Sequence, residues 1–226
     1  MMEKKKRATP WKSGKVISIC LRNGVYILAQ MVRDPYLVFF NHFNEENNWK
    51  GVTLKEEDIL FYKAVTRQFL RYSPVAIDKE VTPLLDYELP KEWIYSHIGG
   101  HPITVSVKGR ERQLAGFGRR CSLVLADKDS GLLEDNPLMG LFQSYIISDI
   151  KEQDWDRVGQ AEFMSIEVFP TLNERLYLCF LYGKNINPEQ DISLGKPLPD
   201  DYETYIDILT TNSPEARRLY LGEHEE

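Results

Sequence analysis

The clearest alternation of apolar and polar residues lies in residues 14–43, which read GKVISICLRNGVYILAQMVRDPYLVFFNHF. This pattern predicts three antiparallel strands, because alternation places one face of each strand in a core. Asn23 and Gly24 favour a tight hairpin turn, since both residues tolerate a positive φ. Asp34 and Pro35 end the second strand before the aromatic run of the third. We therefore expect a β-meander here.

The pattern of residues 53–72 fits two structures. Thr53 and Glu56 could form the capping box of a helix. The short apolar run Ile59-Leu60-Phe61-Tyr62 instead favours a buried strand. We predict a strand that begins near Asp58.

The centre of the chain is interrupted by proline and glycine. Residues 73–102 hold four prolines and a Gly-Gly pair, so this segment is predicted to be a connector with at most one short helix, over residues 91–97. Residues 103–107 and 122–126 are predicted strands, separated by the basic segment KGRERQLAGFGRR.

Helix and strand signals alternate in the second half. Asn136 followed by Pro137, with apolar residues at helical spacing, predicts a helix over residues 137–151. Alternation predicts a second hairpin over residues 163–182. Helices are predicted over residues 200–210 and from Ser213, where serine caps a helix that begins with proline.

These elements predict an α+β fold: an antiparallel, partly barrel-like β-sheet with a few peripheral helices. We expect one domain over residues 13–222, between a disordered basic tail at residues 1–12 and a disordered acidic tail at residues 223–226. The alternative is two subdomains, 13–72 and 103–222, joined by residues 73–102.

Charge is distributed unevenly over the 226 residues. The net charge is −6, yet the first twelve residues carry +4, which leaves −10 on the remainder. Residues 189–226 hold ten acidic and three basic side chains. An acidic body repels phosphate backbones and attracts basic partners, so it argues against nucleic acid as the main ligand.

The sequence shows neither a membrane span nor a secretory signal, since it contains no apolar run of the required length and the basic start is not followed by an apolar core. Cys20, Cys121 and Cys179 lie in or beside apolar runs, where cysteine usually behaves as a small buried hydrophobe. We expect a cytoplasmic protein.

Two histidines and one cysteine are the candidates for catalysis or metal binding. His97 and His101 have the spacing of metal-binding pairs on helices, but the glycines between them and the proline that follows oppose a helix. Cys121 could act as a nucleophile with a histidine as base. We expect two loop histidines and a buried cysteine, with no metal, no cofactor and no catalytic residue.

The central basic segment is a candidate anion-binding site. Gly116-Phe117-Gly118 precedes Arg119 and Arg120, but a strand follows, whereas a phosphate cradle requires a helix N-terminus. Lys108, Arg110 and Arg112 complete a basic patch. The patch is either a solvated hairpin tip or an electrostatic contact with an acidic partner or with the acidic C-terminal region.

The candidate residues for protein binding are tryptophans and acids in connecting segments. Tryptophan is enriched at interface hot spots, and acidic neighbours would suit a basic partner. The alternative for each tryptophan is that it covers the core from a loop. The candidates are Trp155, Asp154, Asp156, Trp49, Asp200, Asp201 and Glu203.

Residues 11 to about 70 resemble a known family. Trp11-Lys12-x-Gly14, Asn23-Gly24-Val25-Tyr26, Ala29-Gln30-Met31-Val32, Leu37-Val38-Phe39-Phe40-Asn41 and Asp58-Ile59-Leu60-Phe61 are similar to the immunity protein 26 family of bacterial polymorphic toxin systems. The resemblance implies a protein that neutralises a cognate toxin, such as a basic nuclease, by stoichiometric binding and without catalysis.

Two other classes of function are open from the sequence. One is a small β-barrel module that binds a peptide or nucleic acid, with Tyr26, Tyr36, Phe39 and Phe40 as stacking faces. The other is a hydrolase-type enzyme that uses His97, His101 or Cys121 with Arg119 or Arg120.

Overall fold

The computed structural model describes residues 9–97, 99, 101–125 and 145–221. These residues form an α+β protein with mixed helices and mainly antiparallel sheets. They divide into two compact units, each built from separate stretches of the chain. The first unit contains the chain as far as Tyr87, Ser165–Ile186 and the chain from Thr204 onward; the second contains Glu88–Met164 and Asn187–Glu203.

The regular elements are numbered in chain order. The strands are β1 (Val16–Cys20), β2 (Tyr26–Met31), β3 (Tyr36–Asn44), β4 (Ile59–Val65), β5 (Val75–Asp78), β6 (Glu92–His97), β7 (Ile103–Val107), β8 (Arg110–Leu114), β9 (Arg120–Leu125), β10 (Tyr145–Ile147), β11 (Glu162–Phe163) and β12 (Ile166–Glu167). The helices are α1 (Phe69–Tyr72), α2 (Trp155–Val158), α3 (Thr171–Tyr182), α4 (Pro188–Leu194), α5 (Glu203–Thr210) and α6 (Ser213–Leu221).

The predicted meander forms the centre of the first unit. Strands β1, β2 and β3 pair antiparallel, and β4 begins at Ile59, as predicted. Asn23 and Gly24 have φ values of 60° and 74°, the left-handed conformation expected for this turn. Within the described residues the sheet order is β12-β4-β3-β2-β1-β5, with β12 parallel to β4.

One face of this sheet packs against helices. Ile17, Ile19 and Ile27 share a buried cluster with α3 residues such as Leu172 and Leu176. Tyr220 of α6 belongs to the same cluster. Each fully buried isoleucine or leucine contributes about 1.5–3 kcal/mol relative to its exposed state, so this helix-covered face is the main core of the unit.

The opposite face is covered by loops. Ser18 alternates with Ile17 and Ile19 along β1, so its side chain points to the other side of the sheet, where Trp49 Nε1 donates to its Oγ at 3.3 Å. Gln30 of β2 projects in the same direction and holds the backbone of Leu84. The sheet is therefore covered on both faces.

Charged side chains are buried in the first unit. The Glu174 carboxylate, which is fully buried on α3, accepts two hydrogen bonds from Arg22, at 2.8 and 3.1 Å. Lys63 of β4 is also fully buried, with its ammonium 2.9 Å from Ser165 Oγ and 3.5 Å from Glu167. A buried charge is tolerated only when it is paired, so these contacts fasten α3 and β12 to the meander.

The second unit contains a smaller sheet and a separate hairpin. Among the described residues its sheet has the order β10-β9-β6-β11, and β7 pairs with β8 apart from it. Ile94, Cys121, Leu123 and Phe163 form its buried cluster. The strands predicted over residues 103–107 and 122–126 are confirmed as β7 and β9.

Two predicted elements have the wrong type. Residues 176–182 form the end of α3 and not a strand. Thr171–Cys179 are buried on all sides of the helix, so their apolar spacing shows neither the helical nor the strand period, and the sequence pattern was misleading. Residues 92–97 form β6 and not a helix, because they pair with β9 along their whole length. The two predicted C-terminal helices are confirmed by α5 and α6.

The predicted helix over residues 137–151 falls mostly outside the described residues. Its described part contradicts the prediction, because Tyr145–Ile147 form β10, which pairs with β9. Most of the predicted basic tail and the whole acidic tail also lie outside the described residues. Trp11, which lies within the predicted basic tail, packs against the core of the first unit.

Candidate protein-binding surfaces

The histidine candidates belong to the second unit and are not paired with each other on a helix. His97 ends β6, and His101 lies in a bend. Ser122 Oγ donates to the Ser148 carbonyl at 2.7 Å, so His97 Nε2, 2.8 Å from that Oγ, must be the donor. Burial and then Arg120 lower the pKa of His97. His97 therefore holds the serine hydroxyl in place and does not remove its proton.

Cys121 and the neighbouring arginines have structural contacts. Cys121 is fully buried, and burial raises the pKa of its thiol to about 12, which keeps it protonated near neutral pH. Arg119 donates to the backbone carbonyls of Ile192 and Thr104, at 2.9 and 3.2 Å. Within the part of the chain that the structure describes, no group of three or more histidine, cysteine or acidic residues is arranged to hold a metal ion.

Trp155 lies at the edge of the second core. It packs partly buried against that cluster, and the Lys196 ammonium lies 5.5 Å from its ring centre. The Asp154 carboxylate accepts the Lys151 backbone N–H at 2.9 Å and so closes a helical turn. Asp156 is exposed. Of these three candidates, only Asp156 is a fully surface-directed charge.

The acids at positions 200–203 face the basic patch. Glu203 accepts from the Lys108 ammonium at 2.6 Å and lies 3.6 Å from Arg110. Lys108 accordingly lowers the pKa of Glu203, and Glu203 raises the pKa of Lys108. Asp200 and Asp201 are exposed beside this pair. Of the alternatives open for the basic patch, the structure shows a contact of Lys108 and Arg110 with the acidic C-terminal region.

Trp49 occupies the interior of the first unit. It is only 4% exposed, and its indole N–H is shared between Asn47 Oδ1 and Ser18 Oγ. The structure thus places Trp49 over the sheet, where it covers the core from a loop. Phe39 and Phe40 are fully buried as well, so neither can stack on a nucleic-acid base.

A second acidic surface was not identified from the sequence. Strand pairing aligns Phe40 with Ile59, so the end of β3 and the turn before β4 lie at the same end of the sheet. His42 Nε2 lies 3.0 Å from Asp58 Oδ2 and marks this proximity. We call this surface the acidic end; its carboxylates are those of Glu45, Glu46, Glu56, Glu57 and Asp58.

The acidic end has few compensating cations. Asp58 faces His42, and Glu57 lies 3.3 Å from Lys55. For the side chains of Glu45, Glu46 and Glu56, the described part of the chain offers no ion pair, and all three are exposed. Glu45 and Glu46 follow β3, and Glu56, Glu57 and Asp58 precede β4, so only the pairing of these two strands brings the carboxylates to one end of the sheet.

Residues 5–108 match a family model described as a domain of unknown function, DUF8309. The match includes β1 to β5 and the acidic end, together with the start of the second unit. No curated protein and no solved structure matched the chain. Among the described residues, no helix has the length and apolar character needed to cross a membrane.

Proposed function

We propose that this protein neutralises a basic toxin in the cytoplasm by stoichiometric binding, without catalysis. The observation that carries the proposal is the acidic end, where exposed carboxylates outnumber the cations that could balance them. Uncompensated charge of one sign raises the encounter rate with a partner of the opposite sign. A basic protein surface is therefore the partner that this end of the sheet fits.

The proposed mechanism is occlusion. Glu45, Glu46 and Glu56 would draw a basic surface toward the rigid end of the meander, and apolar contacts would then slow dissociation. The antiparallel pairing of β3 with β4 positions the acidic end, so the proposed surface needs no rearrangement before the partner arrives. A preformed surface loses less conformational entropy on binding and so supports tight inhibition.

The resemblance of residues 11–70 to the immunity protein 26 family supports the same function from the sequence. In that family the protein protects a cell by binding a toxin, and it requires no catalytic residues. Cys121 is buried in the second unit, and His97 donates to Ser122, so the proposal assigns neither side chain a catalytic role.

The test is co-expression with a toxin-domain protein encoded beside this gene. We expect rescue of growth and a 1:1 complex by light scattering after gel filtration. A catalytically inactive toxin variant should bind equally well, because recognition uses charge and shape and not turnover. Absence of both rescue and complex would refute the proposal.

A further inference from the structure

Leu85 is the most exposed of the large apolar side chains in the described chain. It is 81% exposed, whereas the next, Ile166, is 58% exposed. Leu84 and Tyr87 beside it are each partly buried, so the segment is attached to the unit while Leu85 faces water. An isolated exposed leucine needs no explanation by itself. The backbone that supports Leu85 and the acidic segments around it give this leucine a functional interpretation.

The backbone beside Leu85 is held by a buried amide. The Gln30 side chain is fully buried; its Nε2 donates to the Leu84 carbonyl at 2.8 Å, and its Oε1 accepts the Leu84 N–H at 2.8 Å. The backbone N–H and the carbonyl of Leu84 are thus both hydrogen-bonded to the Gln30 side chain. Because removing either partner would leave buried polar groups unpaired, the position of Leu84 is strongly fixed. Leu85 is presented on a rigid support.

This support lies next to the acidic end. Thr53 and Thr82 form a parallel bridge, with backbone hydrogen bonds of 3.0 Å from Leu54 to Thr82 and from Thr82 to Val52. The segment carrying Leu85 therefore runs beside the segment that leads to Glu56.

Tyr62 is a common neighbour of the segment that carries Leu85 and of the segment that leads to Glu56. The pKa of Tyr62 is raised by burial first and then by Glu56 and Tyr87, which places both residues within electrostatic range of one hydroxyl. Asp86 is exposed and has no ion pair with the described residues. The nearby cations in sequence are Lys50, Lys55 and Lys79, and Lys55 is paired with Glu57.

We infer that Leu85 is the apolar anchor of the acidic end, and that it inserts into an apolar pocket bordered by basic residues on the partner protein. The inference rests on the proposed function and specifies the contact. Charge complementarity selects the partner, since Asp86 and Glu56 lie on the segments around Leu85. Burial of the leucine retains the partner once the charges have met.

The test uses a catalytically inactive form of the toxin-domain protein encoded beside this gene, immobilised for a kinetic binding measurement. Leu85→Ala should raise Kd about tenfold or more, mostly through faster dissociation. In the proposed complex the leucine side chain becomes buried, and truncation to alanine removes most of that apolar contact. Its melting temperature should stay unchanged, since the side chain contacts water in the free protein. Leu219→Ala, at a 47% exposed leucine of α6 in the same unit, is the matched control and should bind as wild type.

The outcomes separate the two proposals. If the wild-type protein fails to bind, the proposed function is refuted and this inference with it. If the wild type binds and Leu85→Ala binds as tightly as Leu219→Ala, only the anchor is refuted. A wild-type dimer in gel filtration that Leu85→Ala converts to a monomer would assign the leucine to a second copy of this chain and would also overturn the inference.

Discussion

The two units use their carboxylates in different ways. In the first unit Glu174 and Glu167 are buried beside Arg22 and Lys63, while the acidic end is exposed and three of its five carboxylates have no ion pair among the described residues. In the second unit the pairs lie at the surface, as in the contact of Glu203 with Lys108. Surface pairing cancels the field that a partner would sense. Under the proposed function, the acidic end of the first unit is the surface expected to attract a basic protein.

The interior and surface pairs also differ in what they contribute to stability. A buried pair that loses one member leaves a charge in a poorly solvated site, which is strongly destabilising. An exposed pair is screened by water and salt and contributes little. The predictions that follow, ordered from the largest expected effect to the smallest, test how the interior and the surface differ.

Arg22→Met should destabilise the protein by about 3 kcal/mol, because Glu174 is left buried without its partner. Urea unfolding followed by tryptophan fluorescence measures this. The double variant Arg22→Met with Glu174→Met should recover more than half of the loss, since it removes the uncompensated charge. A loss below about 1 kcal/mol for the single variant would show that the pair behaves like a surface pair.

The carboxyl groups of Glu174 and Glu203 should titrate on opposite sides of 4.5, the ordinary glutamate value. Burial raises the pKa of Glu174, and the hydrogen bond from Lys108 lowers the pKa of Glu203. Carbon-13 NMR titration of the side-chain carboxyls measures both directions. The same sign of shift for both groups would contradict the comparison.

These shifts have opposite consequences for stability. The contribution of Glu174 is present below its unfolded pKa and is lost as the pH rises through its raised folded value. The contribution of Glu203 is present above its unfolded pKa and is lost as the pH falls through its lowered folded value. Glu174→Gln should remove the first dependence, and Glu203→Gln the second.

Thiol reactivity should distinguish the two buried cysteines from the partly exposed one. Burial raises the pKa of the Cys121 thiol to about 12, so it stays protonated at pH 8. We expect Ellman's reagent to modify only Cys20 in the folded protein, because Cys121 and Cys179 are buried. Denaturant should expose all three thiols. Rapid modification of Cys121 in the native protein would favour the enzyme hypothesis.

Lys108→Ala should leave the thermal unfolding midpoint unchanged within error, because its contact with Glu203 is exposed on both sides. Calorimetry measures this midpoint. Arg110→Ala is the matched control at the other cation near Glu203 and should behave alike. A fall of several degrees for Lys108→Ala alone would show that the surface pair has an unexpected structural role.

The sequence predicts those parts of the fold that depend on local chemistry. Short apolar runs rich in β-branched and aromatic residues, bounded by the Asn23-Gly24 turn and Asp34-Pro35, suffice for β1 to β3, although these strands are buried on both faces. Helix α3 could not be recognised, because it is buried on all sides and therefore shows no single apolar face at helical spacing. Strand β8 was also missed, because its exposed positions are polar or charged and Leu114 is its only fully buried side chain among the described residues.

The candidate site was harder to predict than the fold. Trp49 lies in an asparagine-rich loop that suggests exposure, yet a hydrogen bond to Ser18 places the indole on the sheet. The acidic end exists because β3 and β4 pair in a particular register, and the carboxylates it joins are separated along the chain. Long-range pairing of this kind is not encoded in any short pattern of residues.

The most direct test of the central claim is the association rate with the inactive toxin-domain protein, measured by stopped flow at low salt. Glu45→Lys combined with Glu56→Lys should slow association about tenfold, with the difference reduced at high salt. Asp200→Lys combined with Asp201→Lys, the matched reversal in the second unit, should change it less than about twofold. If the second-unit variant slowed association and the first-unit variant did not, the acidic end would not be the surface that meets the partner.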